Sequence, residues 1–253
     1  MDNNMTPLEL SDTFKFSCSK KVPCFNNCCQ DLNQFLTPYD ILRLKNRLGL
    51  TSGLFLERFT SQHTGPESGL PIITFKTGCD SELQCPFVTP SGCSVYHDRP
   101  SSCRAYPIVR VASRSRETGQ IIENYLLLKE PHCLGFNQEQ TQTVAEWIED
   151  QGVAVYNQMN DMLMEIISLK NRFMPGKLDI KSSLLFHMVC YDIDKFRSHI
   201  FEKGILDDQN LDPGILDAVK DDDVELLKLG YKWIKHKLFD RSASRKPRHL
   251  RRG

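Results

Sequence analysis

The sequence predicts an α+β fold, in which a cysteine-rich, metal-nucleated domain with short helices and a small β-hairpin precedes a helical C-terminal half. Nine of the ten cysteines lie within the first 133 residues, and the strand-like segments lie there too. From residue 138 onward, apolar residues recur at helical spacing. We therefore expect a cysteine-cluster domain over residues 1–135, a helical extension over 136–240 and a basic, disordered tail over 241–253.

The composition is that of an ordinary globular protein, with 40% hydrophobic and 25% charged residues in a chain of 253. The opening MDNNMTPLELSDTF lacks the basic start and apolar run of a signal peptide. No run of 18 apolar residues occurs, so we expect no membrane span and a cytoplasmic location. In a reducing compartment, clustered cysteines favour metal binding; buried or redox thiols and structural disulfides are the alternatives.

Two helices are predicted early in the chain. The segment TPYDILRLKNRLGL has Thr37 as N-cap, Asp40 at the capping-box position and Gly49 as the stop signal. A shorter helix follows, capped by Thr51 or Ser52.

Three strands are predicted around the cysteine-rich stretch. IITF, residues 72–75, leads into that stretch, while YPIVRVAS and IIENYLLLK follow it and are joined by a polar turn around residues 118–120. These last two segments predict the β-hairpin.

The C-terminal half is predicted to be helical over 143–173, 182–201 and 224–239, with a weak point at Gly152 and an acid-rich linker before the last helix. Residues 136–240 carry 12 Lys/Arg against 19 Asp/Glu, whereas residues 241–253 carry six basic residues and no acid. The basic tail is compatible with nucleic-acid binding, but a solubilising tail is the favoured interpretation.

Four thiolates from tight loops suit both zinc and iron–sulfur centres. The gaps between the cysteines are five, three and no residues in the N-terminal group, then seven and nine from Cys85 through Cys93 to Cys103. Neither zinc fingers nor four-iron ferredoxins use these gaps, so the spacing supports a metal site without naming the metal. Four cations lie beside cysteines and are expected to offset thiolate charge: Lys20, Lys21, Arg99 and Arg104.

One block of sequence is more specific. It reads Cys85-Pro86-Phe87, then Cys93-Ser94-Val95-Tyr96, Arg99-Pro100 and Cys103-Arg104-Ala105-Tyr106-Pro107. This block resembles the YkgJ-type cysteine-cluster family of zinc- or iron-chelating domains, whose members carry Cys-Pro-Phe, Cys-x-Ile-Tyr, Arg-Pro and Cys-Arg-x-Tyr/Phe-Pro. The resemblance covers roughly residues 14–135 and includes an upstream group ending in Cys-Cys.

The resemblance implies that eight cysteines are metal ligands: Cys18, Cys24, Cys28, Cys29, Cys85, Cys93, Cys103 and Cys133. Eight thiolates fill either two four-ligand sites, with Cys28 and Cys29 in different centres, or one cluster with spare redox thiols. Cys79 is outside the pattern, and Cys190 is predicted to be a core residue. His97 and His132 stand beside presumed ligands, but a surface role is favoured over ligation.

The preferred function is an iron–sulfur or iron-binding protein in electron transfer or a redox reaction, with a redox or protein partner. The alternative is a zinc-stapled module that contacts protein or nucleic acid. Flagellin lysine N-methylases carry a similar domain, but the chain has no glycine-rich loop for S-adenosylmethionine, which leaves methyl transfer as the least favoured reading. The sequence assigns no catalytic residue and leaves open whether the protein is an enzyme.

Overall fold

The computed structural model of the protein describes residues 4–30, 34–76, 83–115, 117–209 and 211–239. Helices combine with small antiparallel sheets in these ranges, and helices dominate the C-terminal half, so the predicted α+β class is confirmed. Cys79 and the predicted tail over 241–253 lie outside the described residues. No helix in the described ranges is both long enough and apolar enough to cross a membrane.

The described helices fall into three early segments and a C-terminal series. The early ones are α1 (Pro38–Leu48), α2 (Ser52–Phe59) and α3 (Ser101–Ala105). The series is α4 (Val144–Asp150), α5 (Ala154–Phe173), α6 (Ile180–Cys190), α7 (Ile193–Lys203), α8 (Pro213–Asp221) and α9 (Asp223–Phe239).

The strands form four small antiparallel sheets. One has the order β1 (Met5–Leu8), β9 (Ile121–Leu128), β8 (Ile108–Arg114), and another β3 (Phe35–Leu36), β5 (Pro71–Phe75), β4 (Thr60–Thr64). Two pairs complete the set: β2 (Thr13–Lys15) with β10 (Thr141–Thr143), and β6 (Val88–Thr89) with β7 (Gly92–Cys93).

Local signals account for the elements that the sequence predicts well. The Thr37 hydroxyl accepts a hydrogen bond from the Asp40 amide at 3.3 Å, and the Asp40 carboxylate accepts one from the Thr37 amide at 2.8 Å. This is the expected capping box, and Gly49 ends α1 with φ of +63°. Thr51 caps α2, and the predicted hairpin is confirmed as β8 and β9.

The helix predicted over 182–201 is wrong in one respect, because the chain breaks between α6 and α7 at Tyr191 and Asp192. The fully buried Ser52 donates its hydroxyl proton to Asp192 at 2.7 Å, and its hydroxyl oxygen accepts from the Asp194 amide at 3.0 Å. The Tyr191 hydroxyl donates to the Pro71 carbonyl at 3.3 Å. These contacts with distant residues override a continuous helical pattern.

Two further expectations for the C-terminal half need correction. The acid-rich linker contains α8, whose start is fixed by Asp212, which accepts from the Gly214 amide at 2.7 Å, and by Pro213 in the first turn. The weak point at Gly152, where φ is +59°, is a full break between α4 and α5.

Two apolar clusters hold the fold. The smaller one unites β2, the β8–β9 hairpin and α4, and contains Phe14, Phe16, Ile108, Tyr125, Leu127 and Val144. The larger one includes α1, α2 and β5 together with α5 to α9, so the C-terminal helices share their core with the first half of the chain. The proposed domain boundaries at residues 135 and 240 stay predictions.

A buried ionic network also joins the two halves. Lys45 on α1 is 5% exposed, and its ammonium lies 2.8 Å from Asp223 at the start of α9 and 3.3 Å from Asp194 on α7. Arg197 bonds to both carboxylates. Burial alone would raise the pKa of Asp223. The hydrogen bonds that Asp223 accepts, first from Lys45 and then from Arg197, outweigh burial, so the pKa of Asp223 is lowered.

Removing one carboxylate from this network should be strongly destabilising. We expect Asp223→Asn to lower the free energy of unfolding by about 3 kcal/mol, because Lys45 and Arg197 lose a buried partner. The folded-state pKa of Asp223 lies below its unfolded value, so its contribution is complete above about pH 4 and is lost as the pH falls through the folded-state pKa. Urea unfolding as a function of pH measures both effects.

The matched control is Asp217→Asn, which removes the carboxylate of an exposed pair with Lys220 on α8. That change should alter the free energy of unfolding by less than about 0.5 kcal/mol. Equal losses in the two variants, or a loss at Asp223 that is independent of pH, would contradict the structural role of the network.

Candidate metal centre

The eight predicted ligand cysteines lie on loops and very short elements; Cys85 and Cys93 pack against the larger apolar cluster, and Cys133 packs against the smaller one. Cys18 follows β2, Cys24 lies in the next turn, and Cys28 and Cys29 end a 3-10 helix over Asn27–Cys29. The remaining four lie before β6, at the end of β7, within α3 and before the 3-10 helix Leu134–Asn137: Cys85, Cys93, Cys103 and Cys133.

Buried apolar side chains hold the cysteine loops in place. Phe87, two residues after Cys85, is 5% exposed, and Val95, two residues after Cys93, is 1% exposed. Phe87 enters the larger core between α2 and β5, where its ring contacts those of Phe55, Phe59 and Phe75. The Cys-Pro-Phe and Cys-x-Val segments therefore fix the backbone beside each thiol by ordinary core packing.

Backbone amides point at several of the sulfurs. Burial raises the pKa of Cys85, Cys93 and Cys133, and at each of them the backbone amide two residues further along the chain acts in the opposite direction and favours the thiolate. The Leu134 amide donates to the Cys24 sulfur at 3.1 Å. Amide donors of this kind stabilise thiolates, which are the form that binds metal.

Gly135 brings Cys133 close to the segment that carries Cys18. The Ser17 amide donates to the Gly135 carbonyl at 3.1 Å. A Cβ atom at Gly135 would lie 2.6 Å from the Phe16 ring and 3.0 Å from the Ser17 carbonyl oxygen. Only glycine allows this approach of the two backbones, which unites the two ends of the cysteine-rich region.

The N-terminal cysteine turn and the β6–β7 hairpin are joined by hydrogen bonds. The Cys85 amide donates to the Cys29 carbonyl at 2.9 Å, and the Asn26 side-chain amide donates to the Thr89 carbonyl at the same distance. Asn26 adopts a left-handed conformation, with φ of +71°. This left-handed residue directly precedes the 3-10 helix Asn27–Cys29 that carries Cys28 and Cys29.

Cys103 is positioned through α1. The completely buried carboxylate of Asp40 accepts from the Ser101 amide at 2.8 Å and from the Ser101 hydroxyl at 3.3 Å. The same carboxylate forms the capping box of α1, so one side chain fixes α1 and the start of α3 together. The Cys103 thiol lies 3.8 Å from the Gln34 side-chain oxygen.

The effects of the thiols on one another's pKa values indicate two overlapping groups joined at Cys28. The first group is Cys18, Cys24 and Cys133, which act on one another. The second group is Cys29, Cys85, Cys93 and Cys103, linked in the same way. Cys28 lies between the groups, since it acts on Cys18 as well as on the second group.

The match to a family of known domains covers all of these loops. Residues 17–142, about half of the chain, match the CxxCxxCC family, described as "Putative zinc- or iron-chelating domain". Residues 17–142 belong to this family. No curated protein and no solved structure matches the chain. In this CxxCxxCC domain the N-terminal gaps are longer than the family name suggests, at five and three residues.

Burial and the neighbouring thiols together oppose ionisation at Cys18 and Cys103 of the CxxCxxCC domain. Burial and then Cys28, Cys24 and Cys133 raise the pKa of Cys18 to about 11. Cys103 is an exposed residue, but its sulfur is desolvated among the other thiols, and this desolvation followed by Cys85 and Cys28 raises its pKa to about 12. A cation among these sulfurs would reverse the repulsion, as metal ions do in thiolate sites.

Contact between the Cys28 and Cys29 thiols shifts their two pKa values in opposite directions. The Cys29 thiol donates to the Cys28 sulfur, which lowers the pKa of Cys28 and raises the pKa of Cys29.

Arg99 is the cation that the structure places against both groups. It is 9% exposed, its guanidinium lies 3.9 Å from the Tyr96 ring centroid, and it donates to the Tyr96 carbonyl and the Gln151 side-chain oxygen. Burial lowers the pKa of Arg99, while the thiols of Cys103 and Cys93 favour its charged form. Lys20 and Lys21, expected to serve the same purpose, are exposed.

The remaining candidates fit the expected minor roles. His97 is exposed and lies edge-on to Tyr96, and the His132 ring lies 3.7 Å from the Glu130 carboxylate. Cys190 is completely buried in the helical core, as predicted. Sequence reasoning did not single out Asp40 or the hydroxyl of Tyr106 as parts of the site. The capping-box position was the signal that could have drawn attention to Asp40.

The donor chemistry fits zinc or iron, since both are held by four cysteine thiolates. Within the described ranges, however, no three Cys, His, Asp or Glu side chains are already arranged to hold a metal ion. The backbone thus brings the thiols into one region. Binding of a metal ion requires the cysteine side chains to turn towards that ion.

Asp40 should be essential for the order of the α3 loop. We expect Asp40→Asn to lower the free energy of unfolding by about 1–3 kcal/mol, since an amide cannot replace a carboxylate that accepts from both Thr37 and Ser101. Cys103 should also react faster with a thiol reagent. Chemical unfolding and the rate of modification, read by mass spectrometry, measure the two effects.

Glu146→Gln provides the control, because within the described residues the hydrogen bonds of the Glu146 side chain are those of its capping box with Thr143 at the start of α4. It should cost about 1 kcal/mol or less and leave Cys103 reactivity unchanged. A Cys103 reaction rate unaffected by Asp40→Asn would contradict the role of Asp40 in placing α3.

Proposed function

We propose that the CxxCxxCC domain binds iron through its cysteines, as iron–sulfur or iron centres, and acts in electron transfer or a redox reaction. The observation that carries this proposal is the meeting of two thiol groups at Cys28 and Cys29. Cysteine thiolates are the usual protein ligands of iron–sulfur clusters. The proposed location is the cytoplasm, where free thiols persist.

The proposed centres each use four sulfurs. The first comprises Cys18, Cys24, Cys28 and Cys133, and the second comprises Cys29, Cys85, Cys93 and Cys103. Assigning Cys28 to the first centre gives each centre the four ligands that these metals require. It also separates the adjacent Cys28 and Cys29, whose thiols differ in their hydrogen bonding.

The exposure of several residues in the cysteine loops supports a redox role. Cys18, Cys28 and Cys103 are exposed residues, and the exposed ring of Tyr96 lies beside Arg99. A centre at the surface is within reach of a partner protein that delivers or removes electrons. The amides that donate to the sulfurs are of the kind that set the reduction potential of iron–sulfur clusters.

A structural zinc module is the second candidate, and a specific observation favours it. From Cys18 to Cys29 the only regular element is the 3-10 helix Asn27–Cys29. Loops with so little regular structure gain order from metal binding, and zinc contributes roughly 10–16 kcal/mol of apparent binding energy in small zinc domains. This candidate predicts redox-silent metal and unfolding of the cysteine loops by chelators.

Purification without oxygen, followed by metal analysis and an absorption spectrum, distinguishes the two candidates. Iron with broad visible absorption that bleaches on reduction supports the first proposal. Colourless protein with stoichiometric zinc would support the second candidate and overturn the first. Protein that holds neither metal, with all thiols free to react, would contradict both.

Single-ligand variants test the division into two centres. We expect Cys133→Ser to lose the metal of the first centre and Cys85→Ser that of the second, so that each variant keeps about half of the wild-type metal. The reason is that each serine removes one of four sulfurs from one centre only. Metal content per chain, measured by mass spectrometry of the purified protein, is the readout.

Cys190→Ala serves as the control, because Cys190 is a cysteine completely buried in the helical core. This variant should keep the full metal content even if its stability falls. If Cys133→Ser and Cys85→Ser each removed all the metal, a single shared cluster would replace the two-centre arrangement.

A further inference from the structure

Two buried side-chain donors in the described residues have no hydrogen-bond partner: Arg104 Nε and the hydroxyl of Tyr106. Buried polar atoms are almost always satisfied in folded proteins, so each exception calls for an explanation. Both atoms belong to the five-residue segment that starts at Cys103 and ends at Pro107. Of the two residues, Tyr106 packs against the smaller apolar cluster together with the predicted ligand Cys133, so a thiolate at Cys133 is a candidate acceptor for the Tyr106 hydroxyl.

Tyr106 is held firmly in its position. Its ring meets the Phe16 ring edge-on at 5.8 Å, and it packs against the smaller apolar cluster together with Cys133 and Trp147. The adjacent Ala105 carbonyl accepts from the Trp147 indole at 2.8 Å, which fixes the backbone on that side. The hydroxyl is therefore buried at a defined place rather than free to turn towards water.

The ionisable neighbours of the Tyr106 hydroxyl are Cys133 and Glu130. Glu130 is partly exposed and lies 3.7 Å from the His132 ring, so solvent and histidine are available to it. Cys133 lies in the first thiol group; burial raises the pKa of its thiol, while the Tyr106 hydroxyl and then the Gly135 amide favour the thiolate form. A neutral thiol is a weak acceptor, whereas a metal-bound thiolate is a strong one.

We propose that the Tyr106 hydroxyl donates a hydrogen bond to the Cys133 thiolate when the first centre holds its metal, which makes Tyr106 a positioning residue for that ligand. The inference rests on the proposed metal binding by Cys18, Cys24, Cys28 and Cys133. The hydrogen bond removes the unsatisfied donor, fixes the direction of the Cys133 sulfur and reduces the negative charge on it. Partners of this kind adjust metal affinity and potential without contacting the metal.

Arg104 does not share this role. Its terminal nitrogens donate to the Gln151 carbonyl at 2.7 Å and to the His97 carbonyl, and its guanidinium lies over the Tyr156 ring. These contacts direct the side chain towards the α4–α5 junction, and no thiol is shown beside its Nε atom. The two unsatisfied donors are thus distinct, and only that of Tyr106 has a ligand cysteine as its neighbour.

The test is Tyr106→Phe in the full chain, since this change removes one oxygen and keeps the ring. Metal-free protein is titrated with Co²⁺ alone under anaerobic conditions, and the sulfur-to-cobalt absorption bands are followed in competition with a chelator. We expect the affinity of the first centre to fall about tenfold and its absorption bands to shift, with the second centre unchanged. The same titration in the Cys85→Ser background isolates the first centre.

Tyr125→Phe is the matched control, because Tyr125 belongs to the same apolar cluster but its hydroxyl is near Arg110 and Glu123. It should leave affinity and spectrum as in the wild type. Unchanged binding by Tyr106→Phe, while Cys133→Ser loses cobalt, would overturn this inference and leave the proposed function standing. Wild-type protein that binds no Co²⁺, or Cys133→Ser that retains it all, would overturn the proposed function and this inference with it.

Discussion

Repulsion between closely spaced thiolates is the constraint on which the cysteine region depends. The predicted ligand cysteines lie on loops and short elements, and burial followed by the neighbouring thiols raises the pKa of Cys18 and of Cys103. Arg99 is a single buried guanidinium against several sulfurs, so it offsets only part of the charge that their thiolates would carry. Binding of a cation would therefore be coupled to the loss of these thiol protons. This connects protonation, metal binding and the order of the loops in a single equilibrium.

The rest of the fold positions the cysteine loops without a bound metal ion. Phe87 and Val95 pack into the larger core, and the carboxylate of Asp40 joins α1 to the loop of Cys103. That core also contains the C-terminal helices, and Lys45 links α1 to α7 and α9. The C-terminal helices therefore share one core with the side chains that anchor the cysteine loops, although they contribute no predicted ligand.

Sequence reasoning succeeded where the determining contacts are local. The capping box of α1 and the alternation in β8 and β9 are read directly from neighbouring residues, and the motif around Cys103 indicated the family. The break between α6 and α7 was not predictable, because Ser52, far away in the chain, imposes it. The two thiol groups were not predictable either. Which cysteines belong to each group depends on how β2, the β6–β7 hairpin and the loop before Leu134 meet, and the spacing of the cysteines in the sequence does not determine that.

The close approach at Gly135 has a consequence for the order of events during synthesis. Cys18 and Cys133 stand near opposite ends of the cysteine domain, and Gly135 against Phe16 and Ser17 is what brings them together. On a ribosome, the nascent chain exposes Cys18 and Cys24 long before Cys133 emerges. The first thiol group therefore stays incomplete until translation has passed Gly135.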